Sequence, residues 1–309
     1  MPAGMHAQTT RPVIIDIYKA CYKAITLPKE PDFLAADGNT AWVVDNNNNR
    51  VQKISAESNK PLLTDTVNGA CAAPVIAYNA LWVVSCTEKK LYKIDKNTGK
   101  ILAKIATGVA DDNGEMALAA GDGSIWMLTD SSGVLSRIDA NTNKVTSKIT
   151  VKPHSYCAAF GFDAVWVSNY NNNSVQKIDI KSNIVVATIP AGGKPRFISA
   201  ASAGVWTLNQ GDGTVTRIDP SKNALVATID VKAPGGGGDI TSGSGAVWIV
   251  STNKERPLQT INPATNTVNA IYLQTADKGK IKVDGAARAS GHYVWVSNLY
   301  SKTVWAIKK

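Results

Sequence analysis

The sequence predicts an all-β fold, a single seven-bladed β-propeller with four-stranded antiparallel blades. An apolar stretch centred on a tryptophan occurs seven times, at intervals of 40 to 47 residues. Each copy contains only strand and turn signals, and a repeat of this length is typical of one propeller blade. The copies run through nearly all of the 309 residues, which favours one domain over two. The repeat tryptophans are Trp42, Trp82, Trp126, Trp166, Trp206, Trp248 and Trp295.

The four strands of a blade can be followed in the copy around Trp206. Residues 196–200 form the predicted innermost strand, and residues 204–208, 214–219 and 224–229 form the next three. Because the tryptophan is present in every copy, we interpret it as packing between blades and not as a recognition surface. The third strand carries a repeated cation, which we expect to pair with nearby acids. These cations are Lys53, Lys93, Arg137, Lys177 and Arg217.

The two ends of the chain are predicted to close the ring together. After Trp295 the chain has one more strand signal, at residues 303–307, so the last blade has three strands of its own. Residues 13–27 form an extended, β-branched stretch, and its latter part matches the outermost strand of another copy. We therefore expect the N-terminal strand to complete the last blade, which removes an exposed edge. The predicted domain is 13–309, with residues 1–12 as a disordered tail.

Cysteine usage bears on the compartment. Cys71 and Cys86 flank a predicted turn between two strands and are nearly opposite each other. They form either a cross-strand disulfide, which would imply an oxidising compartment, or two buried thiols. Residues 5–10 resemble the end of a signal-peptide cleavage site. We accordingly expect a periplasmic or secreted protein.

The chain has no apolar run long enough to span a bilayer. We also expect a monomer.

The net charge of +9 allows a polyanionic partner. However, the lysines and arginines are spread along the chain as single residues, without basic blocks. This pattern favours a solvated basic surface and makes nucleic-acid binding the less favoured alternative.

Positions at which the copies disagree are the candidates for function. The entrance to each innermost strand lies at the mouth of the central channel, where propellers usually bind ligands. There the sequence places a ring of mixed charge, which suits a small polar ligand or a protein partner. The alternative is a solvated mouth with internal salt bridges. The predicted ligand-binding residues are Asp32, Glu115, His154, Tyr156, Arg196, Asp239, Asp284 and Arg288.

The sequence contains no pattern of a nucleophile with a convergent base, and only His154 among three histidines is predicted near the mouth. A binding scaffold is therefore favoured over an enzyme. No cofactor motif is identified. Carboxylates around the channel could hold a divalent cation, Mg²⁺ or Ca²⁺.

The repeat resembles that of the bacterial YVTN-type propellers. The resemblance rests on residues 165–169 and 294–298, which read Val-Trp-Val-Ser-Asn, and on the Lys-Ile-Asp-x-x-x-Asn segment that begins at Lys177. It covers nearly the whole chain and implies a seven-bladed propeller, often exported and mostly used for binding. One branch of that group is similar to single-stranded DNA binders.

The same superfamily includes virginiamycin B lyase-like propellers, whose resemblance implies a metal-assisted elimination with magnesium and histidine in a late blade. Here that region offers Asp284, Arg288 and His292, which lies on the face away from the mouth. Gluconolactonase-like propellers hold a metal with Glu, Asn and Asp, and Glu30, Asp239 and Asp284 are the comparable residues here. A metal-assisted lyase or lactone hydrolase is therefore the alternative function.

Overall fold

Seven sheets surround a central channel in the computed structural model, which describes residues 11–45, 49–107, 118–201, 203–275 and 281–308. Of the predicted tail at residues 1–12, residues 1–10 lie outside the described residues. The predicted seven-bladed, antiparallel β-propeller is confirmed. Among the described residues, no helix has the length and apolar character that crossing a bilayer requires.

Blades one to five each consist of four consecutive strands and no others, counted from the channel outward. Blade one contains β3 (Pro31–Asp37), β4 (Thr40–Asp45), β5 (Arg50–Ser55) and β6 (Leu63–Thr66). Blade two contains β7 (Val75–Ala77), β8 (Ala80–Ser85), β9 (Lys90–Asp95) and β10 (Ile101–Ala106). Blade three contains β11 (Ala119–Gly121), β12 (Ser124–Asp130), β13 (Val134–Asp139) and β14 (Lys144–Thr150).

Blades four and five follow the same order. Blade four contains β15 (Ser155–Gly161), β16 (Ala164–Asn169), β17 (Ser174–Asp179) and β18 (Ile184–Pro190), with a 3₁₀ turn at Tyr170–Asn172. Blade five contains β19 (Pro195–Ala200), β20 (Val205–Asn209), β21 (Thr214–Asp219) and β22 (Ala224–Asp230).

The N-terminal segment joins blades six and seven. Blade six contains β23 (Asp239–Gly243), β24 (Ala246–Val250), β25 (Leu258–Asn262) and β26 (Thr267–Leu273). Blade seven contains β27 (Ala287–Ser290), β28 (Tyr293–Asn298) and β29 (Thr303–Lys308), and β2 (Cys21–Thr26) completes it. The β2 strand pairs antiparallel with β29, with Ile25 opposite Val304, which confirms the predicted closure.

The extended stretch predicted for residues 13–27 is interrupted in the structure. The first strand, β1 (Val13–Asp16), adds a parallel fifth strand to blade six by pairing with β26. A helical turn, α1 (Ile17–Ala20), then leads to β2. The turn forms because the Asp16 carboxylate accepts hydrogen bonds from the amides of Tyr18 (2.9 Å) and Lys19 (3.2 Å). The same carboxylate contacts Thr275, after β26, and so the segment holds two blades.

The repeat tryptophans are buried, and four of the five repeated cations lie over their rings. Arg137 lies 4.7 Å from the Trp126 ring, and Lys177 lies 5.1 Å from the Trp166 ring. The predicted pairing with a nearby acid is found at Arg137, which pairs with Asp122 at 2.6 Å, whereas the bonds that recur from blade to blade go to other acceptors. Lys177 donates to Pro220 O (2.9 Å) and to Asn223 Oδ1 (3.1 Å) in the next blade. Because those turn carbonyls point toward the preceding blade, the cations link neighbouring blades.

The fourth strand from the channel carries a one-residue bulge in six of the seven blades. In blade four, for example, Val186 has no partner opposite it, because Ala187 pairs with Lys177 and Val185 pairs with Ile178. An extra residue bends the strand and increases its twist. Each bulge lies opposite the third-strand position that carries the repeated cation in most blades.

Cys71 and Cys86 form a disulfide, with their Cα atoms 5.9 Å apart. This finding decides between the two alternatives that the sequence left open. The disulfide fastens the loop before β7 to the end of β8, next to an antiparallel bridge between Ala70 and Ser85. The loop at the mouth of blade two is therefore covalently held.

Candidate functional site

The innermost strands place one residue opposite each repeat tryptophan, and these seven residues form a ring around the channel. We call them the channel ring: Ala35, Val75, Ala119, Ala159, Ser199, Thr241 and Arg288. All seven line one or both of two adjoining cavities, of about 250 and about 150 Å³. Six members are small or medium-sized, and Arg288 is the one charged member.

Arg288 forms an ion pair with Asp239 across the boundary between blades seven and six. Asp239 is only 2% exposed, and its Oδ2 also accepts a hydrogen bond from the Ala287 amide at 3.1 Å. Its Oδ1 accepts from the Ile240 amide at 2.8 Å. Burial raises the pKa of Asp239, and the Arg288 charge opposes that rise. Two of the predicted site residues are thus brought together inside the channel wall.

Asp284 anchors the glycine-rich segment at the channel mouth. Its Oδ1 accepts a hydrogen bond from the Gly238 amide at 3.0 Å, and Gln210 Nε2 donates to Gly237 O at 2.9 Å. A Cβ at Gly237 would lie 2.5 Å from Asp284 Oδ1, and its φ of +88° also requires glycine. This part of the segment is therefore closely packed. Burial raises the pKa of Asp284, while Lys282 and Arg196 oppose the rise.

We expect Asp284→Asn to change how stability depends on pH. In the folded protein the carboxyl holds its proton to a higher pH than its ordinary value of 3.8. At a pH between the ordinary pKa and the raised pKa, the native state therefore binds more protons than the unfolded chain. The free energy of unfolding falls as the pH rises through this range. Chemical denaturation across acidic pH should show a shallower fall for Asp284→Asn. Asp163→Asn, an exposed acid in a turn on the opposite face, is the control, and equal slopes for both variants would contradict the prediction.

Four residues from blades four and five assemble beside the mouth, and we call them the mouth patch: Tyr156, Tyr170, Lys194 and Arg196. The two tyrosine rings meet edge to face, with centroids 5.2 Å apart. The Arg196 guanidinium lies 5.2 Å from the Tyr156 ring, and Lys194 Nζ lies 5.6 Å from the Tyr170 ring. Each cation thus has an aromatic face beneath it.

The backbone under the mouth patch is held by hydrogen bonds from neighbouring elements. Ser168 Oγ donates to Arg196 O at 2.7 Å, which ties β19 to blade four. The Lys194 amide donates to Asn173 Oδ1 at 2.8 Å, and its carbonyl accepts from the Gln210 amide at 3.0 Å. These bonds hold Lys194 in the left-handed conformation, at φ +54°. The patch is therefore positioned before any ligand arrives.

The remaining predicted site residues are more scattered. His154 is exposed in the loop before β15, and its carbonyl accepts from the Tyr170 amide at 3.2 Å. Asp32 is half-buried at the start of β3, where its carbonyl accepts from the Ser297 hydroxyl. Glu115 lies outside the described residues. The structure thus joins Tyr156 with Arg196, and Asp239 with Arg288, but it does not show one continuous ring.

Sequence reasoning missed Tyr170 and Lys194, because their partners are distant in the chain. A third such pair, Lys282 and Tyr300, lies at the mouth of blade seven with Nζ 3.8 Å from the ring centroid. Counting back seven residues from each tryptophan, instead of ten, would have given the whole channel ring. The cation–tyrosine pairs cannot be recognised in a single sequence, because they depend on how neighbouring blades align.

The carboxylates that would hold a metal in a gluconolactonase-like site are engaged elsewhere. Glu30 pairs with Lys302 at 3.3 Å, and Asp239 pairs with Arg288. Within the described ranges, no three His, Cys, Asp or Glu side chains come together in a metal-binding geometry. His292 is exposed in the turn between β27 and β28, away from the mouth. These residues do not fit a Mg²⁺ or Ca²⁺ site.

The fold is similar to solved propellers, although no known family profile and no curated protein matches the sequence. A streptogramin B lyase structure has 15% identity and a TM-score of 0.75, over 92% of this chain and 96% of that one. Virginiamycin B lyase from Staphylococcus aureus has 14% identity and a TM-score of 0.73, over 93% and 98%. BamB from Moraxella catarrhalis has 10% identity and a TM-score of 0.62, over 89% and 84%. At such identities the likeness shows the fold alone: this chain is a seven-bladed β-propeller, similar in structure to virginiamycin B lyase and BamB.

Proposed function

We propose that this protein is an exported binding scaffold, and that the mouth patch takes a polar ligand bearing carboxylate or phosphate groups. The observation that carries the proposal is the pairing of Arg196 with Tyr156 and of Lys194 with Tyr170 beside the channel opening. The ligand comes from either of two sources, a small molecule or the acidic segment of a protein partner.

The chemistry of the patch suits such a ligand. Stacking on a tyrosine fixes the plane of the Arg196 guanidinium, and the planar fork of an arginine matches the geometry of carboxylate and phosphate groups. Charge-assisted hydrogen bonds to carboxylate or phosphate are stronger than neutral ones. The half-buried tyrosine rings offer apolar surface to the rest of the ligand. Because the loops are already held in place, little ordering entropy is lost on binding.

Binding is favoured over catalysis by what the acidic groups already do. Asp239 is paired with Arg288, and Asp284 holds the Gly238 amide. Asp212, next to the patch, accepts hydrogen bonds from the amides of Gly193 (2.6 Å) and Thr214 (3.1 Å). These carboxylates position backbone, which supports a scaffold over the metal-assisted alternative.

Export is supported by the disulfide between Cys71 and Cys86, since disulfides persist in oxidising compartments. Thiol labelling of the protein, trapped with maleimide in its native cells, tests this part of the proposal. The two cysteines should resist the label until a reductant is added. Labelling of both without a reductant would place the protein in a reducing compartment.

Binding is tested by calorimetry at low salt with three probes: citrate, a hexaglutamate peptide and a short oligothymidylate. The double variant Lys194→Ala/Arg196→Ala should weaken binding of citrate or of the peptide by at least about tenfold, because it removes charge-assisted hydrogen bonds. The matched control is Lys181→Ala/Lys222→Ala, which removes two exposed cations from the opposite face. The control should bind as the wild type does.

The three probes distinguish a small-molecule ligand, an acidic protein segment and a nucleic acid. Binding of citrate indicates a small-molecule ligand, and binding of the peptide alone indicates an acidic protein segment. Equal losses in the two double variants would mean that only the net charge matters, and would overturn the site. Tighter, steeply salt-dependent binding of the oligonucleotide would replace the proposal with the nucleic-acid alternative.

A further inference from the structure

The channel contains two departures from the repeat, and they lie next to each other. Arg288 occupies the channel-ring position of blade seven, where the other six blades have Ala, Val, Ser or Thr. A second equivalent position lies two residues before each channel-ring residue. In blade six this position is Asp239. The described residues at that position in the other blades are Phe33, Ala73, Cys157, Phe197 and Ala286. A charged pair thus replaces apolar and small residues at one place in an otherwise repetitive wall.

The ion pair with Asp239 engages only one nitrogen of the Arg288 guanidinium. Arg288 Nη1 makes both of its bonds, to Asp239 and to the Ala287 carbonyl at 2.6 Å. Its Nε and Nη2 bond to none of the described residues. The side chain is 25% exposed and lines both channel cavities. Arg288 therefore keeps unused N–H donors in a side chain that lines the cavities, and Thr241 lines the cavity of about 250 Å³ as well.

We propose that the channel holds a second site, in which the Nε and Nη2 donors of Arg288 bind the oxygen of a small neutral carbonyl or amide compound. The site does not depend on the mouth patch. A neutral ligand is favoured because Asp239 already balances the Arg288 charge. An anion would bring a second negative charge to the same guanidinium, close to the Asp239 carboxylate, and the two like charges repel.

The cavity also limits the size and shape of the ligand. Its volume of about 250 Å³ equals the share of roughly eight liquid waters. Its wall combines polar side chains, among them Arg288, Thr241 and Ser199, with alanines such as Ala119 and with the Phe160 ring. Polar groups that converge among apolar residues fix the orientation of a ligand. A compact ligand with one acceptor and a short apolar body fits these features.

The test uses butyramide and butyrate, which have nearly the same shape and differ in charge. Ligand-observed NMR titrations at neutral pH should show that butyramide binds and that butyrate binds at least about tenfold more weakly. The double variant Asp239→Asn/Arg288→Met removes the donors and the charge together, so no buried carboxylate is left unpaired. Ala159→Leu fills the cavity without changing a polar group. Both variants should lose butyramide binding.

Two controls make the result specific. Ala224→Leu adds the same side chain to an exposed position on the outermost strand of blade five, and it should bind butyramide normally. The mouth variant Lys194→Ala/Arg196→Ala should also bind it, which separates the two sites. The proposal is overturned if butyramide does not bind the wild type, if butyrate binds more tightly, or if Ala159→Leu binds butyramide undiminished.

Discussion

Replacing Trp166 by alanine is expected to lower the free energy of unfolding by about 3–5 kcal/mol, as large core truncations do. The indole is fully buried, and its Nε1 donates to Gly161 O at 3.0 Å. Its removal leaves a cavity between two blades and takes away the ring on which Lys177 stacks. Urea denaturation measures the loss. Phe162→Ala, at a 44% exposed aromatic residue of the same blade, is the control and should cost little. A similar small cost for Trp166→Ala would contradict the packing role.

Arg288→Met alone is expected to lower the free energy of unfolding by about 3–5 kcal/mol, because it leaves Asp239 buried without its counter-charge. The loss should shrink as the pH falls. Burial raises the pKa of Asp239, and without the opposing arginine its proton is held more firmly still. The protonated carboxyl needs no counter-charge, so acid removes the cost. Chemical denaturation at several pH values measures both effects.

The double variant Asp239→Asn/Arg288→Met is the matched control for that measurement. It should recover most of the lost stability, since replacing both members of a buried pair is far less costly than removing one. Equal losses in the single and double variants would show that packing of the arginine stem, and not its charge, stabilises this part of the channel.

The sequence predicts the propeller well because the repeat is local information. Trp166 and its six equivalents mark each blade, and the β2 strand was correctly expected to complete the last one. The break at α1 was not predicted, because the side chain of Asp16 competes with the extended backbone through its own hydrogen bonds. Local bonding of that kind overrides a β-branched pattern.

The candidate site was predicted less well, because it depends on contacts between blades. Arg196 and Asp239 were predicted as site residues one by one, whereas their partners lie 40 and 49 residues away, at Tyr156 and Arg288. The repeated cations show the same difficulty, since their acceptors are turn carbonyls of the next blade. A single sequence records which residues differ between copies, but not how neighbouring sheets align.

The bulged outermost strands have a consequence for how this protein behaves at high concentration. The rim exposes aliphatic side chains, among them Ile184 (56%) and Val186 (50%) in blade four. A straight strand of that composition would be a template for sheet-to-sheet polymerisation. Because the extra residue interrupts the row of edge amides and carbonyls, a second molecule cannot extend the ladder along the whole strand. The bulges therefore help to keep an aliphatic rim from seeding fibres.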